Sequence, residues 1–445
     1  LMNEEIQLRE KVLKDVKEYH DKIYKNKCKW KEGDKISYGG RIFDEEELEN
    51  LAEATLDFWL TSGRFCESFE KAFCRFLKVR YCTLTNSGSS ANLLAFMTLT
   101  CEKLGERRIK KGDEIITVAA GFPTTIAPIL QFGAVPVFVD VNLETANVNV
   151  KDLDKALSSK TKAVILSHTL GNPFDLEAVK NFCMKNNLWL IEDNCDALGA
   201  KALVDGEMQF TGTVGHIGTS SFYPSQHITM GEGGAIYTND PFLHKVILSF
   251  RDWGRDCYCP SGHDNSCGRR FSNEYNHLPF GYDHKYVYSH FGYNLKATEM
   301  QAAIGCAQLK KLPGFIEKRN YNYNKLKNKL MDLGDYLLLP EQTKNTEISA
   351  FGLLLTIINP AFNRRDLLEY LEEKNIQTRL LFAGNIIKQP LFNSIRDDET
   401  KYRVVGNLEN TNIVMNSSFF IGVYPGINDD MIEYISKTIH DFFLK

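Results

Sequence analysis

Six short apolar runs, DEIITVA (113–119), VPVFVD (135–140), KAVILSH (162–168), LWLIED (188–193), TSSFYP (219–224) and GAIYTN (234–239), alternate with helical patterns through the first two thirds of the chain. In DLEAVKNFCMKNNLWLIED the change from helical to strand patterning falls within one segment. Strands apolar on both faces need cover on both, and strands joined through helices run parallel. The order therefore predicts an α/β fold, a mainly parallel sheet between helical layers with ligand groups at the strand ends. Near residue 310 the texture changes. PGFIEKRNYNYNKLKNKLMDL reads as a long amphipathic helix, followed by the strand FGLLLTI and the helices RRDLLEYLEEKN and DDMIEYISKTIHDFF. A division is expected into an N-terminal segment with a large domain over 1–309 and a smaller α+β domain over 310–445. The one long irregular stretch, 254–284, is rich in Cys, Gly, His and Asn and inserts into the large domain.

The charges nearly balance to a net −4 without basic blocks, which argues against nucleic acid as a partner. The first 25 residues are charged and helix-patterned, with Leu1 standing ahead of a candidate initiator Met2. Apolar runs stay well short of the ~18–20 residues that span a bilayer, so a cytoplasmic protein with no membrane partner is expected. Eleven scattered cysteines suit thiols, metal ligands or core packing better than a disulfide framework.

Four segments carry candidate chemistry. CTLTNSGSSANLLAFM (82–97) passes from strand to helix through small residues, which suits either a serine-capped helix or a phosphate cup at Gly88 and Ser89. IEDNCDALGA (191–200) ends a strand on Asp193, which is either a cap or a partner for a protonated pyridine nitrogen. Phe122 in AAGFPTT is a core aromatic or a ring that stacks on a cofactor. Cys257, Cys259 and Cys267 form a C-x-C-x7-C pattern in RDWGRDCYCPSGHDNSCGRRF, and Cys195 is a possible fourth thiolate. By spacing alone, a 2Fe-2S cluster and a zinc site both remain open.

In order, NSGSSA, GFPTT, EDNCDALGA, SFYP with GEGG, and FGYNLKATEMQAAIG resemble the pyridoxal-phosphate sugar aminotransferase and dehydratase family of fold type I, from about residue 39 to the C-terminus. The resemblance implies a homodimer. In it Gly88, Ser89 and Ser221 hold the cofactor phosphate, Phe122 stacks on its ring, Asp193 pairs with its nitrogen, and Asn294 reaches the phosphate from the neighbouring chain. Where the family carries its cofactor lysine this chain has Gln226, and no lysine occurs between Lys201 and Lys245. Asp196 stands where aminotransferases have Gln or His. Both departures point away from amino transfer.

The cysteines and HITMGEGG narrow the resemblance to a branch of reductive 3-dehydrases acting on CDP-linked 4-keto-6-deoxyglucose, in 3,6-dideoxyhexose synthesis for O-antigen. That branch implies noncovalent pyridoxamine phosphate and a 2Fe-2S cluster on Cys195, Cys257, Cys259 and Cys267. Electrons would come from a separate NADH-dependent flavin and iron–sulfur reductase, since this chain shows no dinucleotide fingerprint. The branch has a histidine base at the lysine position. An amide accepts no proton at neutral pH, so His227 rotates into the role, Gln226 is a substituted base, or another group serves. His227 could equally be packed beneath the GEGG turn. Tyr223 and Phe351 are candidates to face the substrate, and Arg403 to meet its pyrophosphate. A cluster-free dehydratase and a noncatalytic relative stay open as alternatives.

Overall fold

The computed structural model describes residues 2–25 and 30–444, and the apolar runs become strands of one sheet. Its order is Tyr81–Thr85, Gly234–Thr238, Ile217–Ser221, Trp189–Asp193, Thr161–Ser167, Glu114–Val118, Val135–Val139 and Arg403–Val404. The last six pair in parallel, as the alternation predicts, while Gly234–Thr238 lies antiparallel to both neighbours. Helices Gly88–Thr98, Pro123–Phe132, Leu176–Lys185 and Pro241–Arg251 cover the sheet. The run at 219–224 corrects to Ile217–Ser221: Phe222 turns out of the sheet, its N–H on Gly233 O, and packs against Phe69 and Phe73. Pro224, which has no N–H to give a ladder, follows two residues later.

The expected division at 309/310 falls inside one helix, Glu299–Lys329. Segments also cross it. Arg403–Val404 returns to pair with Val135–Val139, and Ile36 bridges to Ile376 and lies in the core of the smaller layer. That layer is an antiparallel sheet of Leu337–Leu338, Gly352–Ile357, Ser418–Gly422 and Thr378–Arg379, covered by helices Arg364–Glu373 and Asp429–Phe443. Glu299, the first residue of the long helix, accepts the N–H groups of Gly63, Phe65 and Cys66 at 2.7, 2.7 and 2.9 Å. A buried carboxylate thus satisfies the open N-terminus of helix Arg64–Leu77. The 254–284 insert holds no helix or strand before the short turn His284–Tyr286. It starts just past helix Pro241–Arg251 at Gly254, where φ is +83° and a Cβ would stand 1.8 Å from His290 O, so only glycine fits. Among the described residues no helix is long and apolar enough to cross a membrane.

Candidate active site

A cavity of about 760 Å3 opens where the parallel strands end, lined by the tips Ser167, Asp193 and Ser221 and by the start of helix Gly88–Thr98. Ser87 caps that helix by accepting Ser90 N–H at 3.1 Å, so the serine cap and the small-residue cup coexist. A Cβ on Gly88 would stand 2.4 Å from Ser221 Cβ, which is why the cup closes only on glycine. Asp193 is buried and tied down: Asn92 Nδ2 and Thr125 Oγ1 donate to its Oδ2 at 2.8 and 2.6 Å, and Cys195 N–H donates to Oδ1 at 3.1 Å. Its position in the ladder, opposite Ser167 and Thr219, brings it to the cavity floor. Phe122 lies across the mouth, half-exposed, with Phe382 edge-on at 6.0 Å. A fixed carboxylate, an open aromatic face and a serine-lined helix N-terminus fit a phosphorylated pyridine.

Among the described residues, no lysine lines this cavity. Gln226 occupies its wall, with Nε2 3.4 Å from Asp196 Oδ1 and Oε1 buried without a partner. Asp196, on the same wall, is pushed up to about 7, by burial first and by the charge of Asp193 second, against the opposing pull of Gln226. His227 is turned away. Its ring is buried outside the cavity with Nε2 on Ser349 O at 2.9 Å, and burial with the nearby Arg319 charge holds it down to about 3. Of the roles weighed for His227, the packed one matches this placement.

Arg319 is the residue the sequence pattern missed. Fully buried, it donates to Gln226 O at 2.9 Å, Ser225 O at 3.3 Å and Phe351 O at 3.4 Å, pinning the turn that carries Gln226. Burial lowers it to about 10, with Asp196 opposing. Tyr223 and Phe351 both line the cavity. Arg403 does not: its guanidinium is held by Glu114 at 2.8 Å and it sits on the edge strand, which corrects the pyrophosphate reading. Arg379 lines the cavity instead, over the Tyr38 ring at 4.0 Å. Asn294 is exposed, accepts Lys296 Nζ at 2.7 Å, and lines no part of its own chain's cavity.

The cysteines divide between two places. Cys195 lines the cofactor cavity, because it follows directly on the strand tip Asp193, and burial pushes its thiol up. Cys257, Cys259 and Cys267 line a separate cleft of about 260 Å3 with Arg255, Arg270 and His284. Within it Cys259 hydrogen-bonds to Cys257 and Cys267; although burial opposes, these contacts and Ser266 bring its thiol down to about 7. Cys195 and the three loop cysteines thus line separate cavities.

Sheet order, tethered strand-tip aspartate and serine-lined cup together define a fold type I pyridoxal-phosphate enzyme architecture. The chain matches the DegT/DnrJ/EryC1/StrS aminotransferase family over residues 41–440 and belongs to it. Among its relatives, the lipopolysaccharide biosynthesis protein RfbH of Salmonella typhimurium is 51% identical over 405 residues, 91% of each chain. The dTDP-4-dehydro-2,6-dideoxy-D-glucose 3-dehydratase of Saccharopolyspora spinosa is 46% identical, covering 92% of this chain and 87% of its own. Among solved structures, E. coli GDP-4-keto-6-deoxy-D-mannose-3-dehydratase with bound hydrated PLP superposes with a TM-score of 0.79 at 29% identity. That match covers 90% of this chain and 98% of that one.

Proposed function

We propose that this protein is a reductive 3-dehydratase of a nucleotide-linked 4-keto-6-deoxyhexose, serving deoxysugar synthesis for lipopolysaccharide. Pyridoxamine phosphate and a 2Fe-2S cluster are its cofactors, and a CDP-linked sugar its substrate. One observation carries the reading: the cavity has every fixture for the cofactor except a lysine, and in the lysine's place Gln226 stands beside a carboxyl that titrates near neutrality. A site without lysine favours a cofactor held in its amine form. The names of the relatives, two of them 3-dehydratases of nucleotide-linked sugars, support the reaction class.

When bound, pyridoxamine phosphate supplies an amine that condenses with a ketone and a protonated ring that accepts electrons, and the cluster supplies electrons singly from the separate NADH-dependent flavin and iron–sulfur reductase. The chain's own residues do the rest. Asp193, unable to turn because Asn92, Thr125 and Cys195 hold it, keeps the ring nitrogen protonated. Gly88, Ser89 and Ser221 receive the phosphate, and in the homodimer Asn294 of a second copy joins them. Phe122 fixes the ring plane. Asp196 would accept and return the proton that moves during loss of the 3-hydroxyl, a role suited to a carboxyl raised toward neutral pH. Gln226 Oε1, buried and unpartnered, accepts a sugar hydroxyl and so orients the substrate. Tyr223 and Phe351 flank the sugar, and Arg379 meets the nucleotide's phosphates.

The test is anaerobic incubation of the protein, pyridoxamine phosphate and a chemical reductant with CDP-, GDP- and dTDP-linked 4-keto-6-deoxy sugars. Loss of the 3-hydroxyl, seen by mass spectrometry and greatest for the CDP sugar, is expected. Formation of a 4-amino sugar, or a cofactor fixed to the chain by borohydride, would overturn the reading.

A further inference from the structure

An asparagine side chain meets a phosphate through its amide N–H groups, because its oxygen is an acceptor like those of the anion. In this chain a neighbour decides which end of Asn294 faces outward. Lys296 Nζ donates to Asn294 Oδ1 at 2.7 Å. An ammonium group has no lone pair to offer, so the contact fixes the amide's orientation and turns Nδ2 away from the lysine. Asn294 is exposed, and among the described residues its Nδ2 has no hydrogen-bond partner. Lys296 is itself held. Its side chain is 10% exposed, and its Nζ stands 3.7 Å from the centroid of the Trp253 ring and 3.5 Å from Asp252 Oδ1. Asp252 in turn accepts Arg251 Nε at 2.9 Å. A lysine pressed between an aromatic face and a carboxylate offers its donor from a fixed place, unlike the free ammonium of a surface lysine. The backbone beneath is laced down as well. Asn294 bridges to Asp252, Leu295 N–H donates to Arg251 O at 3.1 Å, and Leu295 O accepts Asn86 N–H at 2.9 Å beside the chain's own phosphate cup.

We infer that Lys296 is a positioning residue, which holds Asn294 with its amide N–H groups outward so that they donate to the cofactor phosphate of a second copy. The inference rests on the proposed role of Asn294 at the neighbouring chain's phosphate. Without Lys296 nothing in the chain distinguishes the two ends of the amide, which then turns its oxygen toward the anion as readily as its nitrogen. A bare amide must be ordered when the phosphate binds, whereas one already oriented has little left to lose. Lys296 acts through Asn294 and has no need to touch the phosphate.

Pyridoxamine phosphate is titrated by fluorescence into the wild type, Asn294→Ala, Lys296→Met, Lys296→Arg and the double variant Asn294→Ala with Lys296→Met, and urea unfolding of each shows that it is folded. Should Lys296→Met fail to fold, Lys296→Ala takes its place in the same cycle. Loss of one hydrogen bond to a charged group predicts an affinity ~10–100-fold lower in Asn294→Ala. Lys296→Met should lose at least ~threefold, and Lys296→Arg, which keeps a donor over the same ring, should recover most of that. In the Asn294→Ala background the lysine change should cost nothing further, since no amide is left to orient. An equal loss in both backgrounds would overturn the inference, because a lysine acting by its charge on the phosphate, or on the fold alone, is indifferent to Asn294. Full affinity in Lys296→Met would overturn it too. Full affinity in Asn294→Ala would refute the borrowed phosphate contact itself, and the inference would fall with it.

Discussion

The carboxyl of Asp196 titrates near neutrality because burial and the Asp193 charge both oppose its ionisation. Asp196→Asn is therefore expected to slow turnover by ~10²–10⁴-fold while the cofactor stays bound, and to remove the rising limb of the pH–rate profile. Retained exchange of the cofactor's exocyclic proton with solvent deuterium in this variant would assign the base elsewhere. The neighbouring histidine behaves differently. His227→Leu leaves Ser349 O without its partner and should cost ~1–3 kcal/mol of stability in urea unfolding, with proton exchange unchanged. Asp193, Gly88 and Ser221 were legible in the sequence because each sits on a local signal, a strand tip or a strand-to-helix turn. Arg319 was not. In NYNYNKLKNK-type surroundings an arginine reads as solvent-facing, and its burial comes from a turn 93 residues earlier in the chain. Arg403 failed for the converse reason, since the carboxylate that holds it lies 289 residues away.

At the scale of elements, the meeting of helix Gly88–Thr98 with the tip of Ile217–Ser221 decides cofactor affinity. Gly88→Ala places a methyl group 2.4 Å from Ser221 Cβ, so strand and helix must part at the phosphate cup. A fall in affinity for pyridoxamine phosphate of at least tenfold is expected by fluorescence titration, about 1.4 kcal/mol or more. Unchanged affinity would mean that the phosphate rests elsewhere. The central strands were readable because each is a short apolar run closed by turn residues. The exit of Phe222 from the sheet was hidden, because Ser220, Ser221 and Phe222 are all acceptable in a strand and only the pocket made by Phe69 and Phe73 draws the ring out. The long insert was readable as irregular, but the separation of its three cysteines from Cys195 depends on where the loop travels after Gly254, which no spacing encodes.

For the molecule as a whole, buried titrating groups set the response to acid. His227, His216 and His244 are held down to about 3, 4 and 4 by burial, against about 6.5 in an unfolded chain. The unfolded state then binds more protons below about pH 6.5, and stability falls as pH drops through that range. Asp196 acts in the opposite sense: raised to about 7 from about 3.9, it takes up its proton more readily folded than unfolded, so its contribution is greatest below about 4 and is lost as pH rises toward 7. Thermal melting temperatures should decline from pH 6.5 to 4.5, more steeply in Asp196→Asn, which lacks the opposing group; an equal slope in both proteins would contradict this account. The change of texture near residue 310 was visible in the sequence, but the crossing of segments between the layers was not, because Ile36 and Arg403–Val404 reach their partners only in three dimensions. Helix Glu299–Lys329 runs unbroken across that division, with Glu299 anchoring residues 63–66 at one end and Arg319 the Gln226 turn twenty positions on. Each helical residue turns the chain by about 100°, so a single inserted or deleted residue between 300 and 318 would swing Arg319 off its carbonyls however conservative its chemistry. Across any set of homologues that keep both anchors, this stretch should vary in identity but never in length, while gaps gather in loops such as 254–284.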